Sequence, residues 1–159
     1  MPGRDRSTQV AEVRTATRSD IESLVLLVRQ YWGFEAIEGF DPWRITALLE
    51  RVLADPSLGR VWVATVGDDP VGYLLAVFVF SLEYQGLTAE VDELFVVSRF
   101  RGAGIGARLL SVAEQAFSEA GCTRVFLQIG RANAEARAFY RAHGFGDRAG
   151  FDLIDKALA

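Results

Sequence analysis

Apolar and polar positions change period several times along the chain, and each change marks an element. Residues 10–15 alternate weakly and predict a first strand. Ser19-Asp20-Ile21-Glu22 has the form of a capping box, with serine capping and glutamate reaching back. Ile21, Leu24, Val25, Leu27, Val28 and Tyr31 then recur at helical spacing, giving a broad apolar face that stops near Gly33. Asp41-Pro42 predicts a second helix, with aspartate at the cap and proline in the first turn. Leu48, Leu49, Val52 and Leu53 form its expected buried stripe, and Asp55-Pro56 ends it.

The period then shortens. Residues 60–66 and 71–80 read as two strands joined by the hairpin signal Gly67-Asp68-Asp69-Pro70. The second is apolar on both faces, which predicts a central position. A turn at Glu83-Tyr84-Gln85-Gly86 leads to a third strand opening at Glu90, so short connections imply an antiparallel meander. Ile105, Leu109, Leu110, Ala113 and Phe117 return to helical spacing. A strand over 124–129, a helix over 134–142 and a closing strand over 151–157 complete the order β-α-α-β-β-β-α-β-α-β. The fold class is α+β, a largely antiparallel mixed sheet flanked by helices in three layers.

Composition narrows the chemistry. The chain has 159 residues, half of them hydrophobic, which suits one folded domain. One cysteine, Cys122, and one histidine, His143, exclude an intrachain disulfide and leave no usual zinc ligand set, so no metal is expected. Both read best as structural residues. The net charge of −4 argues against nucleic-acid binding, and no apolar run predicts a membrane span. The first nine residues lack the apolar core of a signal peptide and read as a flexible tail, so the expected location is cytoplasmic.

The densest chemistry lies in Asp92 to Gly106, DELFVVSRFRGAGIG. A strand, a glycine turn and a helix start in that order make an anion cradle. Glycines let the backbone turn tightly, while the first helical N–H groups and the helix dipole attract phosphate. Gly102-Ala103-Gly104-Ile105-Gly106-Ala107 also satisfies the dinucleotide pattern G-x-G-x-x-G/A. Four residues separate these glycines from the strand, however, and the next strand ends without an acid. The nicotinamide reading therefore loses.

The same residues read Arg101-x-x-Gly104-x-Gly106, which resembles the pyrophosphate motif R/Q-x-x-G-x-G/A of the GNAT superfamily of N-acetyltransferases. A later stretch, Asn133-x-x-Ala136-x-x-Phe139-Tyr140 closing with Gly144-Phe145, resembles the family's second motif. The resemblance implies a single N-acetyltransferase domain over residues 10–159 that uses acetyl-CoA. It implies cofactor contacts at Leu94, Phe95, Val96, Arg101, Gly102, Ala103, Gly104, Ile105, Gly106, Ala107, Asn133 and Ala136. Tyr140 is the implied acid for the leaving thiolate, and an acid at Asp92 or Glu93 the implied base. Strand alternation sends those two to opposite faces unless a bulge re-aims the chain. The implied oxyanion donor is a backbone N–H at Phe95 or Val96.

In this family the acceptor lies against the first helices and the loop between the middle strands. Here those regions supply Trp32, Phe34, Glu35, Phe40, Glu83 and Tyr84. Carboxylates among aromatic rings suit a small cationic amine. The window from Asp92 to Ile105 also resembles diamine acetyltransferases. A silent coenzyme A-binding sensor is the alternative function, and a homodimer is compatible with either.

Overall fold

The computed structural model describes residues 10–158, so the expected tail at residues 1–9 lies outside the described residues. The elements run β1 (Glu12–Thr15), α1 (Ile21–Phe34), α2 (Pro42–Ala54), β2 (Gly59–Val66), β3 (Asp69–Ser81), β4 (Gly86–Val96), α3 (Ile105–Glu119), β5 (Val125–Leu127) and α4 (Ala134–Ala142). The chain divides after Gln128 into two compact units. The first contains the whole sheet, ordered β1-β2-β3-β4-β5, and the second contains α4.

Within the first unit, β1 to β4 pair antiparallel and β5 joins β4 in parallel. The apolar β3 is the middle strand, as its two-faced pattern requires. Val61, Val63, Tyr73 and Phe95 pack with Leu24, Leu27, Val28, Ile45 and Leu49 of the first two helices. On the opposite face Trp62 and Phe78 meet Phe117 of α3 edge-on, with centroids 5.6 and 6.2 Å apart. Two glycines permit close strand packing. A Cβ on Gly59 would lie 2.2 Å from the Ala76 carbonyl oxygen, and one on Gly72 would lie 2.7 Å from that of Phe95.

Several local details differ from the sequence pattern. The cap before α1 is not built on Ser19 and Glu22. Asp20 is buried and takes both nitrogens of Arg14 at 2.7 and 2.8 Å, and it also accepts from the Thr17 N–H at 2.7 Å. That paired carboxylate supplies the box, while Glu22 stays exposed. In α2 the Asp41 carboxylate caps the Trp43 N–H at 3.0 Å as expected. The buried stripe runs through Ile45 and Leu49, whereas Leu48 faces outward. The third meander strand opens at Gly86 rather than Glu90, because Leu87 to Ala89 pair with the end of β3.

Helix α1 passes through Gly33 and ends one residue later. Its last carbonyls are closed by a Schellman pattern, with Ile37 N–H donating to Trp32 at 2.8 Å and Ala36 N–H to Gly33 at 3.4 Å. The left-handed position, usually glycine, is Ala36 at φ 54°. The closing strand over 151–157 is absent: residues 151–158 carry no regular structure, and Phe151, Leu153, Ile154 and Leu158 are exposed. A strand exists only where a neighbour takes its ladder, and none of the described strands does so here.

In the second unit, Asn133 Oδ1 caps α4 by accepting from the Ala136 N–H at 3.0 Å. The helix closes in a second Schellman motif, Phe145 N–H to Tyr140 at 3.0 Å and Gly144 N–H to Arg141 at 3.1 Å, with Gly144 at φ 86°. His143 is exposed, its Nδ1 2.7 Å from the Phe139 carbonyl, which fits a structural histidine. Arg137 and Arg141 both pair with Asp147.

Candidate active site

The first unit holds a strand edge that runs straight into a glycine turn. β5 pairs with β4 only at Ala89, Glu90 and Val91, while β4 continues to Val96. Beyond Val91 that edge of β4 has no strand partner among the described residues. Val97 N–H donates to Val71 of β3 at 2.8 Å, so the two-residue period aims the amides of Phe95 and Glu93 at β3 as well. The amides of Leu94 and Val96 therefore face the open edge. The Val96 carbonyl agrees, since it accepts from Arg101 Nε at 2.8 Å rather than from β3.

This corrects one expectation. Phe95 is buried in the core and its amide is committed to the sheet. Of the two amides considered for an oxyanion, only that of Val96 faces the edge.

A single 3₁₀ turn, Ser98–Phe100, carries the chain from β4 into the glycines. Gly102 and Gly104 take φ 77° and 80°, left-handed values that let the backbone double back into α3. Gly104 is the cap residue of that helix, and no side chain caps it. The N–H groups of Ile105, Gly106 and Ala107 thus lack an acceptor in the helix. A Cβ on Gly102 or Gly104 would meet nothing within 4 Å, so these glycines are not explained by protein packing. Uncapped donors, a positive dipole end and clear space fit a pyrophosphate. Arg101 is turned partly away from that role. Its guanidinium lies 4.4 Å from the Phe34 ring centroid and 5.4 Å from that of Phe95.

The two acids stand beside this edge. Leu75 pairs with Glu93 but Ala76 pairs with Val91, leaving Asp92 as the extra residue of a β-bulge. The bulge shifts the side-chain alternation, so Val91 packs on the α3 face and Glu93 turns to the α1 face. There Glu93 Oε1 accepts from Trp32 Nε1 at 2.9 Å and Oε2 from the Tyr73 hydroxyl at 2.6 Å. Burial pushes the Glu93 carboxyl above the usual range, and nearby Asp92 adds to this, while the two donors pull it back. Burial of the carboxyl also raises Asp92, with Glu90 adding repulsion, although the residue as a whole is exposed. Burial, above all, raises the Tyr73 phenol far beyond its ordinary value, so it remains a donor.

The expected acceptor residues separate into two groups. Trp32 is tied to Glu93, Phe34 lies under Arg101, and Glu35 caps the exposed end of α1. Glu83 and Tyr84 lie in the β3–β4 turn. Six residues of β4 lie between Gly86 and Glu93, so the two are about 23 Å apart along the strand. Tyr84 packs on Phe126 of β5 with centroids 5.4 Å apart, and its carbonyl accepts from Thr123. The structure does not bring this pair to Glu93. Tyr73 was not singled out by the sequence, because a buried tyrosine in an apolar strand reads as core.

In the second unit, burial pushes the Tyr140 phenol up to about 12. Its ring packs edge-on against Phe139 and Phe145, with centroids 5.1 and 5.4 Å apart. The Gly144-Phe145 ending is thus the helix stop that fixes this ring. Asn133 and Ala136, expected as cofactor contacts, meet each other at the helix cap.

The chain is similar to known proteins in sequence and in fold. The profile of the acetyltransferase (GNAT) family matches residues 24–145. An uncharacterized N-acetyltransferase of Archaeoglobus fulgidus is 31% identical over 131 residues, covering 81% of this chain and 88% of that protein. The aminoalkylphosphonate N-acetyltransferase of Salmonella typhimurium is 27% identical, covering 91% of each chain. Among solved structures, an integron cassette protein from the Cole Harbour Salt Marsh metagenome superposes with a TM-score of 0.82 at 31% identity, covering 92% of this chain and 90% of that one. The chain belongs to the GNAT family, and it is an acetyltransferase.

Proposed function

We propose that the protein transfers an acetyl group from acetyl-CoA to the primary amine of a small, cationic acceptor by direct attack. The observation that carries this is the open edge of β4 leading into the start of α3, where Gly104 is the cap residue and no side chain takes the first amides. GNAT acetyltransferases use acetyl-CoA, which when bound supplies an activated thioester. In this chain the N–H groups of Ile105, Gly106 and Ala107, with Gly102, Ala103 and Gly104 as the turn, hold the pyrophosphate. Leu94 and Val96 offer edge amides, and that of Val96 stabilises the carbonyl oxygen as charge gathers on it.

Glu93 takes the proton that the attacking amine must lose. It is the acid held at a fixed place, whereas Asp92 raises its basicity from the bulge. Tyr140 serves the leaving thiolate. A phenol at about 12 stays protonated at neutral pH and donates a hydrogen bond to sulfur, with full transfer less favourable than for an unperturbed tyrosine. Trp32, Phe34 and Glu35 remain on the acceptor side. The Salmonella relative is named for an aminoalkylphosphonate acceptor, which supports a small amine and not its net charge.

The test is a panel of small amines with acetyl-CoA, read by release of free thiol. Turnover of at least one amine is expected, with Glu93→Gln removing the rising limb of rate with pH and Asp92→Asn only displacing it. Tight binding of coenzyme A without turnover of any amine would instead favour the silent sensor.

A further inference from the structure

We propose that Tyr73 and Trp32 are positioning residues, which hold the Glu93 carboxylate ionised and in one orientation beside the open edge of β4. The proposal rests on Glu93 as proton acceptor for its consequence in the rate, but its geometry stands separately. Trp32 lies on α1, Tyr73 on β3 and Glu93 on β4, so three elements meet at one side chain. Each carboxylate oxygen receives one donor, at 2.9 and 2.6 Å, and each keeps a second lone-pair direction for an incoming proton. Tyr73 is fully buried, so it acts through Glu93 rather than on substrate.

The donors are themselves held in place. Tyr73 packs edge-on against Tyr31, with centroids 6.5 Å apart, and Trp32 packs edge-on against Phe40 at 5.8 Å. The Trp32 carbonyl receives the Ile37 N–H that closes α1. The groups acting on Glu93 are Tyr73 from β3, Trp32 from α1 and Asp92 from β4, with Tyr31 behind Tyr73 and Glu90 behind Asp92. No arginine, lysine or histidine pairs with Glu93 among the described residues. Two neutral donors therefore take the place of a counter-ion in a half-buried site, and hydrogen bonds to the charged form keep it available as a base.

The Trp32 indole proton reports on the carboxylate it touches. Its NMR resonance is identified among the three tryptophans by its loss in Trp32→Phe. In the wild-type protein this resonance should titrate once in the acid range, and Glu93→Gln should abolish that titration. Tyr73→Phe removes one donor from the carboxylate and should move the midpoint up by about one pH unit. The acidic limb of kcat/KM should move with it, and Trp32→Phe, at a half-buried position, should move the same limb in the same direction. A midpoint unchanged in Tyr73→Phe, or an indole that still titrates in Glu93→Gln, overturns the proposal. A midpoint that moves while the rate limb stays put upholds the positioning and overturns Glu93 as proton acceptor.

Discussion

Gly104→Ala separates what the glycine turn does for the fold from what it does for the ligand. Gly104 sits at φ 80° and ψ 6°, where a side chain costs about 1–2 kcal/mol. Alanine also restricts the unfolded chain, which returns roughly 0.4–1 kcal/mol. The net loss of about 1 kcal/mol should lower the melting temperature by about 2–4 °C. No protein clash adds to this, since the new Cβ would have nothing within 4 Å. A pyrophosphate drawn to the first amides of α3 would meet that Cβ. Loss of about two charged hydrogen bonds, roughly 1.5 kcal/mol each, weakens coenzyme A by on the order of 100-fold. Titration calorimetry on the folded variant measures this, with the melting curve alongside. Gly72→Ala supplies the contrast, because its Cβ would lie 2.7 Å from a backbone oxygen and should damage stability first. A folded Gly104→Ala protein that binds coenzyme A within threefold of the wild type would refute the cradle.

Three further outcomes follow from other parts of the chain. Ala36→Gly relieves a left-handed alanine at φ 54° and should raise stability by about 0.5–1 kcal/mol, read by chemical denaturation. Asp20 is depressed to about 2, first by the Arg14 hydrogen bonds and also by the Thr17 amide. A lowered folded value stabilises above pH about 4 and is lost as pH falls toward 2, by about 1–2 kcal/mol after allowing for the half-exposed arginine; Asp20→Asn should flatten that part of the acid-unfolding curve. Tyr140→Phe keeps the ring between Phe139 and Phe145 and should lower turnover about 100-fold while coenzyme A affinity changes little; full turnover with a lowered melting point would make this tyrosine a packing residue.

Much of this was legible in the chain because the signals are local. Glycines that take left-handed values, a proline after a capping aspartate and an apolar strand in mid-meander each follow from neighbours in sequence. The site's carboxylate was visible, but what holds it was not. Trp32 and Glu93 are 61 residues apart, and no period in either segment records that an indole N–H would end on a carboxylate. Trp32 was expected to meet substrate for the same reason that Tyr73 passed as core: side-chain type shows what a group can bond, not which partner the fold delivers. Glu83 and Tyr84 lie at the other end of β4 from Glu93, because adjacency to the motif strand says nothing about which end of it a residue occupies. The closing strand failed because alternation describes a strand's faces and not the availability of a neighbour.

The bulge at Asp92 divides β4 into two halves whose side chains are out of phase. Up to Val91 the odd-numbered residues lie against α3, and from Glu93 onward the odd-numbered residues lie against α1 and α2. The chain thus treats the length of this strand as information, separate from the identity of the residue that supplies it. Substituting Asp92 alters one carboxylate and leaves every other side chain where it was. Deleting it would place Glu93 directly after Val91 and close the bulge, and ordinary alternation would then leave Glu93, Phe95 and Val97 on the α1 side. A further residue inserted here without a second bulge would turn those three toward α3, so the strand tolerates variation in composition better than an added residue.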